Sequence, residues 1–549
     1  MAPIQLQLPA HGTFTGYETS ELLAGFMGAY SFGSFSGYFQ TRSWENGFFA
    51  QDDWRVNQKW TLNLGLRYDL LTWPSEASNH QSNFNPATGE LVEPGSAAAH
   101  SGGYNASLID TPKHNFGPRI GFAWDIFGDG KTVLRGGYGL FYYLDRGGVG
   151  NELSNNPDFN GTSTDYACPT ATTCGSGYRI AFTGQAPLGD NNPADATAAL
   201  PPKTAGIAPN AVTTTNNVIY YPKNSPNSHI QEWNLQIERA LDNKTSLDVA
   251  YVGTKMSNLA TTFNANQTIF GTGCSDCLLP GTSWFPVGGP INPNGVGAIN
   301  ATEMIGNGDY NALQAKLNRR MSSGLLLTAA YTWSHTLDDS PSAFGESGGV
   351  IMGANGTPLL AFERGNSDTD QRQLFSLSSL YELPFGRGKA FGNDAPRAVN
   401  YVLGGWQWNN VILKATGTPI DIDGAPTGNG RPDYNGGCKT NVSWHVWIAC
   451  PTGAFTAPAG PFGQGDLERN AFSGPGTFDW DMSLVKNIPI KERVTAQLRA
   501  QVYNLTNTPQ FQNPDTNYTN TGNTGFGTLL NARISPPNRE LELALRVSW

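Results

Sequence analysis

Six cysteines are the first residues whose spacing suggests chemistry, and they fall in three close pairs: Cys168/Cys174, Cys274/Cys277 and Cys438/Cys450. Cys274-Ser-Asp-Cys277 has the spacing of half a zinc site, but a tetrahedral site needs a second pair, which the sequence does not supply. An even count and local pairing suit disulfides in a chain that matures in an oxidising compartment. Such bridges stiffen loops that otherwise lose entropy on binding a ligand. The seven histidines, at positions 11, 80, 100, 114, 229, 335 and 445, are scattered and show no metal-ligand spacing. Ser334-His335 with Asp338 and Asp339 contains the residue types of a hydrolytic triad. Neighbours along one strand do not build the line of nucleophile, base and orienting acid that a triad requires. Gly386-Arg-Gly-Lys389 lacks the upstream glycine of a phosphate loop and is followed by Ala390, so it reads as a turn. No catalytic, cofactor-binding or metal-binding residue is assigned, and the expected class is not an enzyme.

The elements that carry these residues are strands. The last ten residues alternate strictly, with Leu541, Leu543, Leu545, Val547 and Trp549 against Glu542, Ala544, Arg546 and Ser548. A period of two puts all the apolar side chains on one face. A soluble protein rarely ends on an exposed hydrophobic strand, because that edge invites aggregation. In a closed barrel the same strand has neighbours on both sides and lipid against its apolar face.

The same alternation recurs in six hairpins. Residues 48–56 turn into 60–71, 115–127 into 132–143, 229–241 into 245–255, and 309–321 into 325–337. Residues 372–385 then lead through a Gly-rich piece near 386–393 into 406–422, and 477–489 turn into 492–507. Trp233, Leu235 and Ile237 oppose Glu232, Asn234, Gln236 and Glu238; Leu498 lies opposite Arg499, and Leu64 and Leu66 oppose Asn63 and Arg67. One face suits lipid and the other a wet lumen. Between hairpins lie long polar stretches, at 73–114, 144–228, 256–308, 338–371, 423–476 and 508–539, and every cysteine pair falls in one of them. Short turns at one end and long loops at the other is the rule of transmembrane β-barrels. A propeller would repeat every ~40–50 residues, and these hairpins are irregularly spaced. Aromatics at strand ends (Trp60, Trp73, Tyr142, Tyr143, Trp333, Trp406, Trp408, Trp480, Trp549) read as interfacial girdles.

Composition agrees with an all-β chain: charged residues are only 14%, while Gly and Pro number 65 and 36, which starves helices and feeds turns. No apolar run approaches the ~18 residues of a transmembrane helix. The net charge of −10 argues against nucleic acid. Residues 1–41 contain no Lys or Arg and lack the basic and apolar regions of a signal peptide, so the expectation is the C-terminal part of a longer precursor, or a truncated gene. Residues 1–47 are expected to hold upstream barrel strands, and 48–549 the C-terminal part of the barrel with no separate soluble domain.

Gly47-Phe-Phe-Ala-Gln-Asp-Asp-Trp54, Leu62-Asn-Leu-Gly-Leu-Arg-Tyr-Asp69, Asn115-Phe-Gly-Pro-Arg-Ile-Gly-Phe122, Tyr331-Thr-Trp-Ser-His-Thr-Leu-Asp-Asp339 and Tyr381-Glu-Leu-Pro-Phe-Gly-Arg-Gly388 resemble the barrel of TonB-dependent outer-membrane receptors, and more narrowly the Oar-type branch. The terminal strand is similar to the assembly signal read by the barrel-assembly machinery, with Trp549 in place of the usual phenylalanine. The resemblance implies an antiparallel transmembrane barrel with ~22 strands in a full member, whereas the thirteen clear strands read here, with one to three more upstream, give about 14–16 in this chain. It implies a bacterial outer-membrane location with a periplasmic C-terminus. It also implies external loops that capture a substrate such as an iron chelate, cobalamin, an oligosaccharide or a peptide. Partners would be outer-membrane lipid and the TonB system, the latter through a plug domain absent from this chain. A passive porin-like channel or a surface adhesin is the alternative, and an outer-membrane enzyme a further one.

In the oxidising compartment that this resemblance implies, the three cysteine pairs are expected as disulfides within their own loops. Non-reducing peptide mapping should recover the links 168–174, 274–277 and 438–450. Six free thiols after extraction under thiol-blocking conditions would overturn the assignment.

Overall fold

A computed structural model describes residues 39–144, 149–156, 218–265, 299–340, 358–424, 431–458, 465–491, 494–520, 525–529 and 538–549, together with Val350 and the backbone of a few short strands elsewhere. One fifteen-stranded sheet dominates, and thirteen of its strands follow one another in a single path of neighbours. These wall strands are β1 (Glu45–Arg55), β2 (Trp60–Leu71), β3 (Phe116–Asp125), β4 (Thr132–Tyr143), β5 (Ser228–Ala240), β6 (Thr245–Asn264) and β7 (Ile299–Ser322). They continue as β8 (Leu325–Asp338), β9 (Gln373–Glu382), β10 (Trp406–Ala415), β11 (Thr477–Lys491), β12 (Val494–Tyr503) and β13 (Glu540–Ser548). Every neighbouring pair along this path is antiparallel, so the chain runs up and down without a crossover.

The short turns are built from side chains that satisfy the backbone locally. Asn57 Oδ1 accepts the N–H groups of Lys59 and Trp60 at 2.8 and 3.0 Å. Asp125 accepts those of Gly128 and Gly130, both at 2.9 Å, and both glycines hold positive φ. Asp242 accepts the Lys244 N–H at 2.6 Å. These are Asx-type turns, which need a short acceptor and, at φ > 0, glycine.

Register carries one face across the whole wall. Leu62 lies opposite Phe122, Phe122 opposite Gly136, Gly136 opposite Leu235, Leu235 opposite Tyr251, Tyr251 opposite Leu313 and Leu313 opposite Trp333. The same parity continues through Ile412, Trp480 and Leu498 to Leu541, Leu543, Leu545 and Val547. Arg67, Glu232, Asn234 and Arg499 stand on the opposite face. On the apolar face glycines make room for rings: a Cβ at Gly253 would lie 2.3 Å from the Trp233 indole, and one at Gly136 2.4 Å from the Phe122 ring.

The apolar face is not a core. Leu541, Leu543 and Leu545 are 67, 75 and 66% exposed. Buried apolar side chains cluster instead in the long loops and at the strand ends beneath them, with Ala312 and Val485 the exceptions among the described residues. The long-loop end also departs from the sequence expectation. β6 and β7 run on to Asn264 and back to Ile299, making strands of 20 and 24 residues where ~9–11 cross a bilayer. Residues 256–264 and 299–308, expected as loop, therefore stand as an extended ladder beyond the membrane thickness. Conversely 416–422, expected as strand, leaves the wall after Ala415, and Pro419–Ile420 pairs with Phe472–Ser473 in the loops.

Two of the expected girdle aromatics are elsewhere. Trp73 is 3% exposed, packed in a loop core edge-on to Tyr221 at 5.9 Å. Tyr143 follows Tyr142 by one residue and so falls on the polar face. Trp60, by contrast, stacks on Trp124 at 5.1 Å on the apolar face beside a short turn. In the segment 1–38, Gln5–Gln7, Phe26–Met27 and Ala29–Phe32 pair among themselves and with Thr164–Ala167 and Tyr178–Arg179. None of these pairings joins the wall sheet.

The face assignment predicts an unequal pair of substitutions. Leu64→Lys puts a charge on the lipid face and should cost about 2–4 kcal/mol near the midplane. Asn63→Lys projects from the other face, where Asn63 Nδ2 donates to Asp53 Oδ1 at 2.6 Å, and should leave stability nearly unchanged. Unfolding of the refolded barrel in urea checks this; equal effects, or the reverse order, would falsify it.

Candidate functional site

The long-loop end is a folded cap with three hydrophobic clusters. In the first two, loop 73–114 meets the segment around Val218–Tyr221 and the extensions of β6 and β7. Buried asparagines stitch these pieces together by imitating strand pairing. Asn83 Nδ2 donates to Tyr221 O at 2.8 Å while Tyr221 N–H donates to Asn83 Oδ1 at 3.0 Å. Asn156 does the same for Ser82 O at 2.8 Å and the Ile219 N–H at 2.7 Å. Glu76 closes the turn below: burial pushes its carboxyl up, but the N–H groups of Gln40, His80 and Ser78 pull it below the usual carboxylate range.

The third cluster centres on Ile420, Ile422, Ile448 and Leu467, ringed by Tyr434, Phe455, Phe472, Tyr518 and Phe526. Cys438 and Cys450 are joined by a disulfide at its margin, Cα to Cα 4.1 Å. Cys168, Cys174, Cys274 and Cys277 lie outside the described residues.

An ionic hub ties this cap to the wall. Arg469, 5% exposed, pairs with Asp338 at the end of β8, donates to Glu363 O at 3.0 Å, and lies 3.8 Å from Asp368. Arg431 pairs with Glu363 at 3.1 Å with both side chains buried. Asn366 and Asn470 exchange reciprocal side-chain to carbonyl bonds at 2.9 and 2.8 Å. Burial pushes the Asp421 carboxyl up, although Arg431 and Arg469 pull it down. Asp309 receives both Lys255, at 3.2 Å, and Arg364. The two loops that follow β8 and β10 are thus locked to each other and to the wall by charges taken out of water.

The triad fragment dissolves in this geometry. Ser334 and His335 are consecutive in β8 and point to opposite faces. Ser334 Oγ donates to Gln371 O at 2.7 Å, and Asp338 is engaged by Arg469. Arg372 Nη2 lies 2.7 Å from His335 Nε2 and 2.9 Å from Asn366 Oδ1. Among the described residues no group of His, Cys, Asp and Glu could hold a metal ion.

Below the cap, the polar face of β2–β5 carries a trough of about 320 Å³. Gly65, Gly121, Gly137 and Gly139 form its floor, and Asn63, Glu232 and Asn234 its rim. Arg119 lies over the Phe141 ring at 4.6 Å. Glycines remove side chains from one patch of wall and leave backbone and a few polar groups facing the lumen side. Such a surface can pass or hold a polar solute but places no nucleophile beside a base. Sequence reasoning did not find the hub or the trough: Arg469 and Asp338 are 131 residues apart, and no local pattern links them.

Breaking the hub gives a local readout. Arg469→Ala leaves Asp338 and Glu363 O without this partner, and loss of a buried pair costs about 3–5 kcal/mol. Hydrogen exchange should accelerate in 360–370 and 465–475 while β1–β5 keep their protection. Unchanged exchange in both loops would remove Arg469 from this role.

Comparison with curated proteins finds no match. Among solved structures, the pyoverdine outer membrane receptor FpvA from Pseudomonas aeruginosa is 11% identical over 93% of this chain and 43% of its own, with a TM-score of 0.42. The siderophore receptor PiuA from Acinetobacter baumannii is 11% identical over 93% of this chain and 44% of its own, TM-score 0.42. The ferric-catecholate import receptor Fiu from E. coli is 12% identical over 95% and 45%, TM-score 0.39. The chain spans less than half the length of each. A family model for an outer membrane beta barrel domain matches residues 7–542, nearly the whole chain. With its alternating wall, short turns and loop-borne core, the chain belongs to the outer membrane beta barrel domain family, and its place is the outer membrane.

Proposed function

We propose that this chain is a barrel segment of a TonB-dependent receptor, of the Oar-type branch, that captures a substrate with its folded cap and passes it along its polar wall. The observation that carries this reading is where the protein invests its buried core. The cap holds three hydrophobic clusters and a buried ionic hub, so its loops are fixed before any ligand arrives. A preformed cap lowers the ordering cost of binding, which is what a capturing surface requires. The strings around Gly47–Trp54 and Tyr331–Asp339 support the same family. In this reading the short turns and the C-terminus face the periplasm, and Leu541, Leu543, Leu545, Val547 and Trp549 are the signal read by the barrel-assembly machinery.

The division of labour follows from the edges. Among the described residues, no strand pairs with the outer edge of β1 or of β13. In hydrocarbon an open edge leaves backbone groups unpaired at several kcal/mol each. We infer that further strands complete the barrel and that a plug outside this chain couples it to TonB. The chain alone is then expected to give no energised transport. Reconstitution in lipid, with iron chelates, cobalamin, oligosaccharides and peptides offered in turn, tests this. Saturable, TonB-dependent uptake by this polypeptide alone would refute the division of labour. An ungated pore would instead favour the passive channel.

A further inference from the structure

The short-turn end is uniform except between β9 and β10, where the chain forms the helix Arg397–Leu403 in place of a bare turn. That helix is exposed on its apolar side: Val399, Val402 and Leu403, at the spacing of one helical face, are 42, 66 and 51% accessible. Beside it Phe385 and Phe391, also exposed, lean together with ring centroids 5.7 Å apart. A patch of this kind in water is a liability unless something covers it.

The side of the wall on which it hangs identifies what covers it. Trp406 Nε1–H donates to Val402 O at 2.8 Å. Lys486 Nζ donates to Val402 O at 3.1 Å and to Gly404 O, and lies over the Trp406 ring at 5.1 Å. A cation on the last carbonyls of a helix is favoured by their partial negative charge. Trp406 and Lys486 are register partners, and both belong to the apolar face, the one continuing through Leu498 and Leu545. The helix C-terminus is therefore fastened from the lipid side of the wall rather than from the lumen. Arg397 lies on the side of the helix opposite the apolar stripe, and Arg387 is exposed in the loop before it; Lys389 is engaged by Glu382 at 2.8 Å, and Asp394 is the acid of the same segment.

We propose that the helix Arg397–Leu403, with Phe385 and Phe391, is an interfacial anchor seated among the phospholipid headgroups at the short-turn end. Short amphipathic helices with a basic polar side lie in the plane of that boundary with their apolar side buried a few ångströms. Continuity with the membrane-facing surface selects lipid over a protein partner, and the arginines suit phosphate-bearing headgroups. The inference rests on the outer-membrane family and the face assignment, and not on the transport reading.

The test uses the full chain in vesicles of phosphatidylethanolamine and phosphatidylglycerol. Trifluoromethyl-phenylalanine is placed at Val402, at Leu235 on the apolar face, and at Glu232 on the polar face, one site per sample. Fluorine relaxation is then read with nitroxide on the lipid headgroup, nitroxide deep in the acyl chain, or a gadolinium chelate in the water. The label at Val402 should relax several-fold faster with the headgroup nitroxide than with the deep one, and Leu235 should show the reverse. Lys486→Met should shift the Val402 response toward the chelate. Relaxation of Val402 by the chelate alone, with Leu235 still sensing lipid, overturns the anchor and leaves the wall intact. Loss of the lipid signal at Leu235 as well overturns the face assignment and the anchor with it.

Discussion

The wall of this protein depends on one constraint: inside hydrocarbon, backbone N–H and C=O groups have no partner but each other. A sheet meets that demand between strands, and so the wall is a run of sequential antiparallel neighbours with minimal turns. The same constraint removes the usual source of a core. Side chains on the lipid face stay exposed to an apolar solvent, so residues such as Leu543 gain nothing by meeting across an interior. The stability of the wall comes from its ladder and from matching each face to its surroundings.

The hydrophobic effect returns where water does, at the long-loop end. There β6 and β7 outrun the membrane and give the loops a rigid stem to pack on. The loops are polar by composition, yet they bury Phe84, Leu91, Ile422 and Ile448 almost completely. Arg431 and Glu363 are buried with them. A buried ion pair is poor evidence of stability, since desolvation offsets much of its attraction. What it supplies here is geometry: a guanidinium has a fixed fork, and Arg469 reaches Asp338, Glu363 O and Asp368 only when both loops sit in one arrangement. A cap held in one arrangement has already lost the entropy that a flexible one would lose on binding.

The wall was legible in the sequence because its two solvents differ so sharply. Most of the thirteen strands carry runs of period two, and Leu62–Leu66 or Leu541–Val547 need no tertiary information to be placed. The legibility ends where both faces become covered by protein. Along 299–308, Ile299, Ala301, Thr302 and Met304 are buried regardless of parity, so alternation vanishes and the segment resembles a loop. Trp73 shows the related ambiguity: an aromatic just past a strand end fits a headgroup belt and a loop core equally well, and only the partner Tyr221 decides. The hub was invisible for a third reason. Its members are ordinary Arg, Asp and Glu residues that acquire meaning only from contacts dozens to more than a hundred positions away.

Three polar residues on the apolar face look like errors of patterning, but they share one kind of partner. Asn311 accepts from the Tyr251 hydroxyl at 2.6 Å, Gln231 from the Tyr138 hydroxyl at 3.1 Å, and Asn410 from the Trp480 indole at 3.1 Å. In each case the aromatic is one strand over and two residues off register, the diagonal position that long side chains can span. Lys486 on the same face is covered differently, with helix carbonyls as acceptors and the ring of its direct register partner Trp406 beneath its ammonium. An aromatic with a polar tip can turn its body to lipid and its O–H or N–H inward along the sheet, which shields the amide from hydrocarbon. At these three positions a diagonal Tyr or Trp covers the polar residue, so the aromatics there serve as hydrogen-bond donors as well as lipid-facing side chains.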